Sequence, residues 1–188
     1  MKIGFAMCGS FCTFMYAFEQ MSLLRDADHD IVPIMSFNAS SINTRFGKAS
    51  DHIARAESIA EREIINSILE AEPLGPAEKL DLLVICPCTG NTLAKLALGI
   101  TDTPVTMAAK AHLRSDRPLL IALATNDGLS ANLSNLNAMQ KRKNVYFVPM
   151  KQDDPVKKPH SLVADFDRLG ESIAASLRGE QLRPLFFE

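Results

Sequence analysis

Short apolar runs alternate along this chain with longer segments of helical period, and this alternation limits the fold more than any other feature. The apolar runs are bounded by polar or turn residues, which is typical of strands buried on both faces of a parallel sheet. Five ranges have this character: Lys2 to Met7, Ile31 to Ser36, Leu82 to Cys86, Leu119 to Ala124 and Val145 to Val148. The pattern predicts a three-layer, doubly wound α/β domain with a parallel sheet of five or six strands.

The segments between the strands carry apolar residues at three- and four-residue steps, as the buried face of a helix requires. In the first segment, from Ser10 to Ala27, the residues on the predicted buried face are Phe11, Phe14, Met15, Phe18 and Met21. The remaining predicted helices run from Ala49 to Leu69, Thr89 to Leu98, Pro104 to Leu113, Leu129 to Gln140 and Ser161 to Leu177. Helices on both faces of the sheet are therefore expected.

Length and composition favour one soluble domain. The chain has 188 residues, of which 47% are hydrophobic and 22% charged, so we assign residues 1–188 to a single domain. The formal net charge of -2 argues against nucleic-acid binding. No apolar run approaches the roughly 20 residues that span a membrane, and the N-terminal residues begin a strand without a signal peptide. We therefore expect a cytoplasmic protein that binds neither nucleic acid nor membrane.

The four cysteines do not predict a metal site. Cys8, Cys12, Cys86 and Cys88 lie in or directly after apolar runs, where reduced thiols act as small hydrophobic side chains. Their spacings, Cys-x3-Cys and Cys-x-Cys, differ from those of common zinc sites. The sequence thus indicates free thiols and no metal.

Small polar residues follow four of the five predicted strands. In doubly wound folds, ligands bind beyond the carboxyl ends of the strands, near the position where the strand order reverses. A glycine permits a sharp turn there, and the free amides at a helix start can bind a phosphate. The residues in question are Gly9, Ser10, Ser36, Asn38, Cys88, Thr89, Gly90, Asn91, Thr92, Thr125 and Asn126. They predict a site for one phosphate-bearing ligand, although each could also serve only as a helix cap.

Two common nucleotide-binding motifs are missing from the sequence. The G-x-G-x-x-G motif would require three glycines after the first strand, and only Gly9 is present. The chain also contains no Gly-Lys-Ser or Gly-Lys-Thr, so it lacks a Walker loop. A mononucleotide therefore fits this pattern better than NAD.

Several of these residues resemble a known superfamily. The turn Pro87-Cys88-Thr89-Gly90-Asn91-Thr92 is similar to the proline-and-small-residue motif ending in Asn-Thr of the flavin-containing cysteine decarboxylases, and Gly9-Ser10 is similar to their first phosphate turn. More specifically, three segments resemble the family of dipicolinate synthase B subunits: Ala124 to Gly128, Tyr146 to Pro149 and Gln152 to Pro159. The resemblance covers essentially the whole chain.

This resemblance implies a Rossmann-like flavoprotein fold and participation in the oxidation of a dihydrodipicolinate precursor to dipicolinate during sporulation. It also implies FMN bound between the protomers of a homo-oligomer, and a partner, the A subunit of the synthase, that binds NADP. By position, the FMN would contact Gly9, Ser10, Ser36, the Cys88 to Thr92 turn, Thr125 and Asn126. The alternative is a non-catalytic partner subunit with a vestigial nucleotide pocket, because the sequence identifies no catalytic acid or base.

The chain also departs from the decarboxylases. It has no histidine between Glu72 and Ile85 and no cysteine after Cys88, both of which argue against decarboxylation of a cysteinyl substrate. After the fourth strand, Thr125-Asn126-Asp127 stands where those enzymes have a proline-and-methionine motif.

Cationic residues in two polar segments are candidates for binding a small dicarboxylate substrate. Arg45 and Lys48 lie in the polar stretch after the second strand, and Lys157 and Lys158 lie in a loop restricted by two prolines. Arginine and lysine are the usual partners of carboxylates. Each segment could equally be a solvated loop.

The C-terminal segment carries three large apolar residues, Leu185, Phe186 and Phe187. Termini normally fray, and exposed apolar side chains lose the stabilisation that burial would give. We therefore predict that this tail docks on a neighbouring subunit of a homo-oligomer.

Overall fold

A seven-stranded sheet forms the centre of the computed structural model, which describes residues 1–75 and 77–187. Its strands are β1 (Lys2–Met7), β2 (Asp30–Met35), β3 (Leu82–Cys88), β4 (Leu119–Thr125), β5 (Val145–Phe147), β6 (Met150–Lys151) and β7 (Leu162–Ala164). The helices are α1 (Phe14–Asp26), α2 (Phe37–Ser41), α3 (Ala49–Ala60), α4 (Ile68–Ala71), α5 (Gly90–Leu98), α6 (Pro104–Leu113), α7 (Leu133–Gln140) and α8 (Leu169–Leu177). Single 3-10 turns, Phe11–Thr13 and Phe166–Arg168, precede α1 and α8.

The first five strands are parallel and lie in the order β2-β1-β3-β4-β5. β1 lies between β2 and β3, with Ile3 opposite Ile31 on one side and Leu82 on the other. The chain therefore reverses its direction of winding between β1 and β3, which is where doubly wound folds bind ligands. The predicted α/β architecture is confirmed.

Successive residues of β3 enter two different cores. Leu82 and Val84 pack in the cluster that contains residues of α1 and α3, whereas Leu83 and Ile85 pack in the cluster that contains residues of α5 and α6. This alternation is the period of a strand with both faces covered. The sheet is consequently the middle of three layers, as predicted.

Two antiparallel strands extend the sheet beyond the predicted five or six. The first half of β4 pairs with β5, while Ala124 and Thr125 pair with Val163 and Leu162 of β7. The predicted helix from Ser161 to Leu177 is therefore wrong over residues 161–165; residues 166–168 form a 3-10 turn, and α8 begins at Leu169. The buried positions of β7 alternate, a period of two that a short apolar segment does not distinguish from a helical one.

The predicted helix from Ala49 to Leu69 is also interrupted. α3 ends where Glu61 adopts a left-handed backbone with φ 54°. Ile65 then lies extended beside β2, since its N–H donates to the Pro33 carbonyl at 2.8 Å and its carbonyl accepts from the Met35 N–H at 2.9 Å. Two β-branched residues at 64 and 65 suit this extended segment better than a helix.

Two other helices begin later than predicted. Residues 11–13 form a 3-10 turn before α1, and α7 starts at Leu133 instead of Leu129. On α1, Phe14, Phe18 and Met21 are buried as predicted, but Met15 is 63% exposed. Met15 therefore lies outside the helix face that contacts the sheet.

Three of the four cysteines are buried core residues, and Cys12 is exposed. Burial raises the pKa of the Cys8 thiol to about 11, and it raises the pKa of Cys86 and Cys88 as well. These three thiols are therefore protonated at neutral pH and act as apolar side chains, as predicted.

The C-terminal segment pairs with β6 of its own chain. The Met150 N–H donates to the Leu185 carbonyl at 2.8 Å, and the Phe187 N–H donates to the Met150 carbonyl at 3.2 Å. Leu185 is buried, whereas Phe186 is half exposed. Leu185 is thus buried against its own chain, where β6 provides a partner strand, and the predicted docking on a neighbouring subunit stays a prediction for the exposed Phe186.

Gln181, shortly before the tail, also covers β5 at Phe147. The side-chain amide of Gln181 accepts from the Phe147 N–H at 2.8 Å and donates to the Phe147 carbonyl at 2.7 Å.

Among the described residues, no helix has the length and apolar character needed to cross a membrane.

Candidate ligand-binding site

A cavity of about 900 Å³ opens at the carboxyl ends of β1, β3 and β4. Its lining comprises residues 9–13 after β1, Thr89 after β3, residues 124–126 at the end of β4, and residues 161–167 around β7. This volume lies within the range of pockets that hold cofactors and other small molecules. The cavity therefore occupies the place where the sequence predicts a ligand.

The turn after β1 supplies unpaired hydrogen-bond donors to this cavity. The Ser10 N–H donates to the Cys8 carbonyl at 2.7 Å and the Thr13 N–H to the Ser10 carbonyl at 3.0 Å. The amides of Phe11 and Cys12 between them have no acceptor in the described part of the chain. Such amides at the start of a helix, here continued by α1, favour an anionic group.

Ser161 adds a buried hydroxyl to the lining of the cavity. The residue is 4% exposed, and its Oγ has no hydrogen-bond partner in residues 1–75 and 77–187. Leaving a buried hydroxyl unsatisfied costs about 1–3 kcal/mol. A polar group of a bound ligand would satisfy it, so Ser161 is a candidate contact that the sequence pattern did not indicate.

We expect Ser161→Ala to stabilise the ligand-free protein by about 1 kcal/mol, because it removes a buried, unpaired hydroxyl. Urea unfolding monitored by circular dichroism measures this change. The matched control is Ser172→Ala: Ser172 is equally buried, but its Oγ donates to the Arg168 carbonyl at 2.8 Å, so its loss should destabilise. Equal destabilisation by both substitutions would show that the Ser161 hydroxyl has a partner.

Aromatic side chains form a second, apolar part of the lining: Phe11, Tyr16, Phe46 and Phe166. The rings of Tyr16 and Phe166 are stacked, with centroids 5.9 Å apart and an interplanar angle of 18°. Phe46 lies in the Thr44–Gly47 turn and is 45% exposed. Flat apolar surfaces of this kind suit the ring system of a ligand.

Three aspartates and two lysines line the cavity and give it a formal net charge of -1: Asp153, Asp165, Asp167, Lys151 and Lys158. Lys158 forms an ion pair with Asp153. Its hydrogen bond to that carboxylate raises the pKa of Lys158.

Of the four predicted substrate-binding cations, the structure brings only Lys158 into the described cavity lining. Lys157 and Lys48 are exposed outside it, and the Arg45 guanidinium lies over the Phe46 ring, 4.8 Å from its centroid. Arg45 therefore does not line the cavity itself but contacts Phe46, which does.

The predicted cofactor-binding residues divide into two groups. Five line the cavity: Gly9, Ser10, Thr89, Thr125 and Asn126. Six are not part of its described lining: Ser36, Asn38, Cys88, Gly90, Asn91 and Thr92.

Several residues of the second group have structural roles next to the cavity instead. The Ser36 hydroxyl caps α2 by accepting from the Ala39 N–H at 3.3 Å, and the Thr92 hydroxyl donates to Cys8 Sγ at 3.3 Å. Cys88 is fully buried in the core. Asn38 lies beside Gly9 and Asn91 is exposed.

A polar network behind the cavity fixes the turn after β4. Thr125 Oγ1 donates to Asp127 Oδ1 at 2.5 Å, and Asn132 Nδ2 lies 2.9 Å from both Asp127 carboxylate oxygens. Gly90 closes over this network: a Cβ there would lie 2.5 Å from Thr125 Oγ1 and from Asn132 Nδ2. Asp127 and Asn132 carry no signal of these roles in the sequence, since the roles depend on a contact with α5.

No cluster of three or more His, Cys, Asp or Glu side chains suited to a metal ion occurs in the described ranges. The chemistry available at the cavity is hydrogen bonding, aromatic packing and ion pairing. These interactions suit an organic ligand with a planar ring and a charged group.

Comparison with known proteins agrees with this geometry. Residues 1–175 match the Flavoprotein family. The dipicolinate synthase B subunit of Bacillus subtilis (strain 168) is 44% identical over 187 residues, covering 100% of this chain and 94% of the relative. The crystal structure of the dipicolinate synthase B subunit from Bacillus halodurans C superposes with a TM-score of 0.91 at 40% identity, covering 100% and 96% of the two chains.

A more distant structure shows the shared fold. An FMN-dependent cysteine decarboxylase, SpaF, has a TM-score of 0.72 at 20% identity, with 95% of each chain covered. The two Bacillus relatives, by contrast, are similar to this chain along its full length. The chain therefore belongs to the Flavoprotein family and, within it, to the family of dipicolinate synthase B subunits.

Proposed function

We propose that this chain is the B subunit of a dipicolinate synthase and takes part in oxidising a dihydrodipicolinate precursor to dipicolinate, in the mother-cell cytoplasm of a sporulating bacterium. The observation that carries the proposal is the cavity, which combines unpaired amides at Phe11 and Cys12 with an aromatic lining. Membership of the Flavoprotein family and the 44% identity to the Bacillus subtilis relative support it.

We propose FMN as the cofactor. The Gly9–Ser10 turn with its following amides, together with the Ser161 hydroxyl, would hold polar groups of FMN, and the aromatic lining would contact the apolar part. When bound, the flavin supplies the capacity to accept and pass on electrons, whereas the protein sets its orientation and surroundings. The residues present fit this cofactor in size and chemistry.

We also propose a substrate contact, a partner subunit and self-association for this chain. Lys158, one of two lysines in the cavity lining, is proposed to bind a carboxylate of the precursor in exchange for its ion pair with Asp153. NADP is proposed to bind to the A subunit of the synthase, because this chain lacks the dinucleotide motif. Tyr16 and Phe46 are 47% and 45% exposed at the cavity, surfaces that a second protomer would cover in a homo-oligomer.

The test is to purify this full chain and the A subunit of the synthase, and to assay each alone and both together, with and without FMN and NADP. We expect FMN to bind this chain with a shift of the flavin absorption band. Dipicolinate should form only in the complete mixture. Formation of dipicolinate by this chain alone with NADP would overturn the assignment. If this chain stays colourless and still activates its partner, the result would favour the non-catalytic alternative.

A further inference from the structure

The turn that carries Phe46 to the cavity is closed on itself by hydrogen bonds. The Thr44 N–H donates to the Gly47 carbonyl at 3.0 Å, and the Gly47 N–H donates to the Thr44 carbonyl at 3.2 Å. The Phe46 N–H donates to the Thr44 hydroxyl at 3.1 Å. Residues 44–47, which we call the Phe46 turn, therefore form one compact unit. Whatever supports Gly47 also sets the position of Phe46 in the cavity lining.

The support of Gly47 is the imidazole of His52. A Cβ on Gly47 would lie 2.7 Å from His52 Cε1 and 2.8 Å from Nε2, and all three of its nearest atoms belong to His52. His52 belongs to α3 and is 8% exposed. The rings of Phe14 and Phe18 on α1 also pack against it, with centroids 4.9 and 6.0 Å from that of the imidazole. The imidazole therefore fills the space between α1, α3 and the Phe46 turn.

This place suits a neutral imidazole and not a charged one. His52 Nε2 is buried and has no hydrogen-bond partner in the described part of the chain. A neutral ring can carry its proton on Nδ1 and leave Nε2 as an acceptor. A charged ring has a proton on both nitrogens, so Nε2 would become a buried donor without an acceptor, next to Gly47. Burial lowers the pKa of His52, so the ring is neutral at pH 7.

The charged groups around His52 also bear on its protonation. On α3, Asp51 favours the protonated ring and Arg55 opposes it, each by less than burial does. In and beside the Phe46 turn, Arg45 and Lys48 are exposed cations. α1 faces the ring with phenylalanines, and α2, which packs on α3, has no titratable side chain. A proton on His52 would therefore add positive charge next to a turn that already carries two cations.

We propose that His52 is a positioning residue that holds the Phe46 turn at the cavity, and that the ligand-binding form of the site requires its imidazole to be neutral. His52 is not part of the described lining, so it acts through Gly47 and Phe46. When it binds a proton, the turn has to shift until Nε2 reaches an acceptor or water, and Phe46 leaves its place in the lining. This inference rests on the proposed function for its ligand and adds a pH dependence to the binding of that ligand.

A fluorescent reporter tests the movement of the turn without any ligand. The sequence contains no tryptophan, so Phe46→Trp introduces a single one. We expect its emission to shift to the red and its anisotropy to fall as the pH drops from 7.5 to 5.0, with a midpoint below the ordinary histidine pKa of about 6.5. The circular dichroism spectrum should stay unchanged over this range, which excludes global unfolding as the cause.

Two histidine substitutions in this reporter background separate His52 from other groups. His52→Phe keeps an uncharged ring under the turn and should abolish the fluorescence titration. His112→Gln is the matched control, because His112 is also buried but lies in α6 on the other face of the sheet, and it should leave the titration intact. If His52→Phe does not fold, His52→Leu serves the same comparison. A titration that persists without His52, or none in the Phe46→Trp parent, overturns the inference.

Flavin binding tests the consequence for the cavity. Riboflavin is the probe, because it lacks the phosphate group of FMN, which itself titrates near pH 6. We expect wild type to bind riboflavin about 3- to 10-fold more weakly at pH 5.5 than at pH 7.5, measured by quenching of flavin fluorescence, since a required neutral form costs at most about tenfold per pH unit. His112→Gln should behave as wild type does, and His52→Phe should bind equally well at both pH values. An undiminished loss in His52→Phe contradicts the inference.

The two experiments fail separately. If neither riboflavin nor FMN binds wild type at pH 7.5, the FMN proposal fails, and the tryptophan titration still decides whether His52 positions the Phe46 turn. If flavin binds but the tryptophan does not respond to pH, FMN stands as the cofactor and His52 has no positioning role.

Discussion

Replacing Gly90 by alanine should lower the free energy of unfolding by about 1–3 kcal/mol, the usual cost of overpacking a closely packed site. The added methyl group would lie 2.5 Å from Thr125 Oγ1 and from Asn132 Nδ2, well inside contact distance. Relief would require α5 to move away from the turn after β4. Because Thr89 directly precedes α5 and lines the cavity, we also expect weaker FMN binding.

Gly170→Ala is the matched control for this experiment. Gly170 is also in the first turn of a helix, α8, but a Cβ there would meet nothing within 4 Å. Alanine should therefore stabilise the protein by about 0.5–1 kcal/mol through its higher helix propensity. Urea unfolding of both variants measures the free energy of unfolding, which should fall for Gly90→Ala and rise for Gly170→Ala. If Gly90→Ala stabilised as well, α5 would not be packed against the Thr125 network.

Stability should fall as the pH is lowered below about 6.5, because two histidines are buried and neutral. Burial lowers the pKa of His112 and of His52. His112 Nε2 lies 2.8 Å from the Pro118 carbonyl, to which it donates, and its Nδ1 has no partner in the described residues. His52 is 8% exposed, and its ring centroid lies 4.9 Å from that of Phe14.

The direction follows from proton binding in the two states. Above the ordinary histidine pKa of about 6.5, both histidines are neutral in the folded and in the unfolded protein, and they do not change the free energy of unfolding. As the pH falls through this value, the unfolded chain binds protons that the folded chain does not, so each histidine removes at most about 1.4 kcal/mol of stability per pH unit. The loss from each histidine stops growing below its folded-state pKa.

Urea unfolding at pH 7.5 and pH 5.5 measures the effect. His112→Gln and His52→Phe should each reduce the pH dependence, because each removes one buried imidazole. His160→Gln, at an exposed position, should leave it unchanged. A pH dependence that survives in the double variant of His112 and His52 would assign it to other groups.

Strands β1 to β5 could be predicted from sequence, because each is an apolar run between turn residues. The ends of β1, β3 and β4 could be predicted as a ligand site for a topological reason: parallel strands bring their carboxyl ends to one edge of the sheet. Gly9, Ser10, Thr89, Thr125 and Asn126 accordingly meet at one cavity.

The remaining parts of the site depend on tertiary contacts without a local signal. Ser161 lies beside β7, a three-residue strand whose apolar pattern also fits the start of a helix. Phe46 reaches the cavity from a turn that the sequence shows only as part of a polar stretch. Asp127 and Asn132 acquire their roles only when α5 packs over them.

The sheet offers few free backbone groups to another molecule at its edges. Ile65 hydrogen-bonds to the outer side of β2, the Gln181 side-chain amide to the backbone of Phe147 in β5, and the C-terminal tail to the backbone of Met150 in β6. Open edges are where chains add strands to one another and aggregate. These contacts disfavour strand addition at the positions they cover, which favours association of copies of this chain through helices and loops, so that an assembly can grow without merging its sheets.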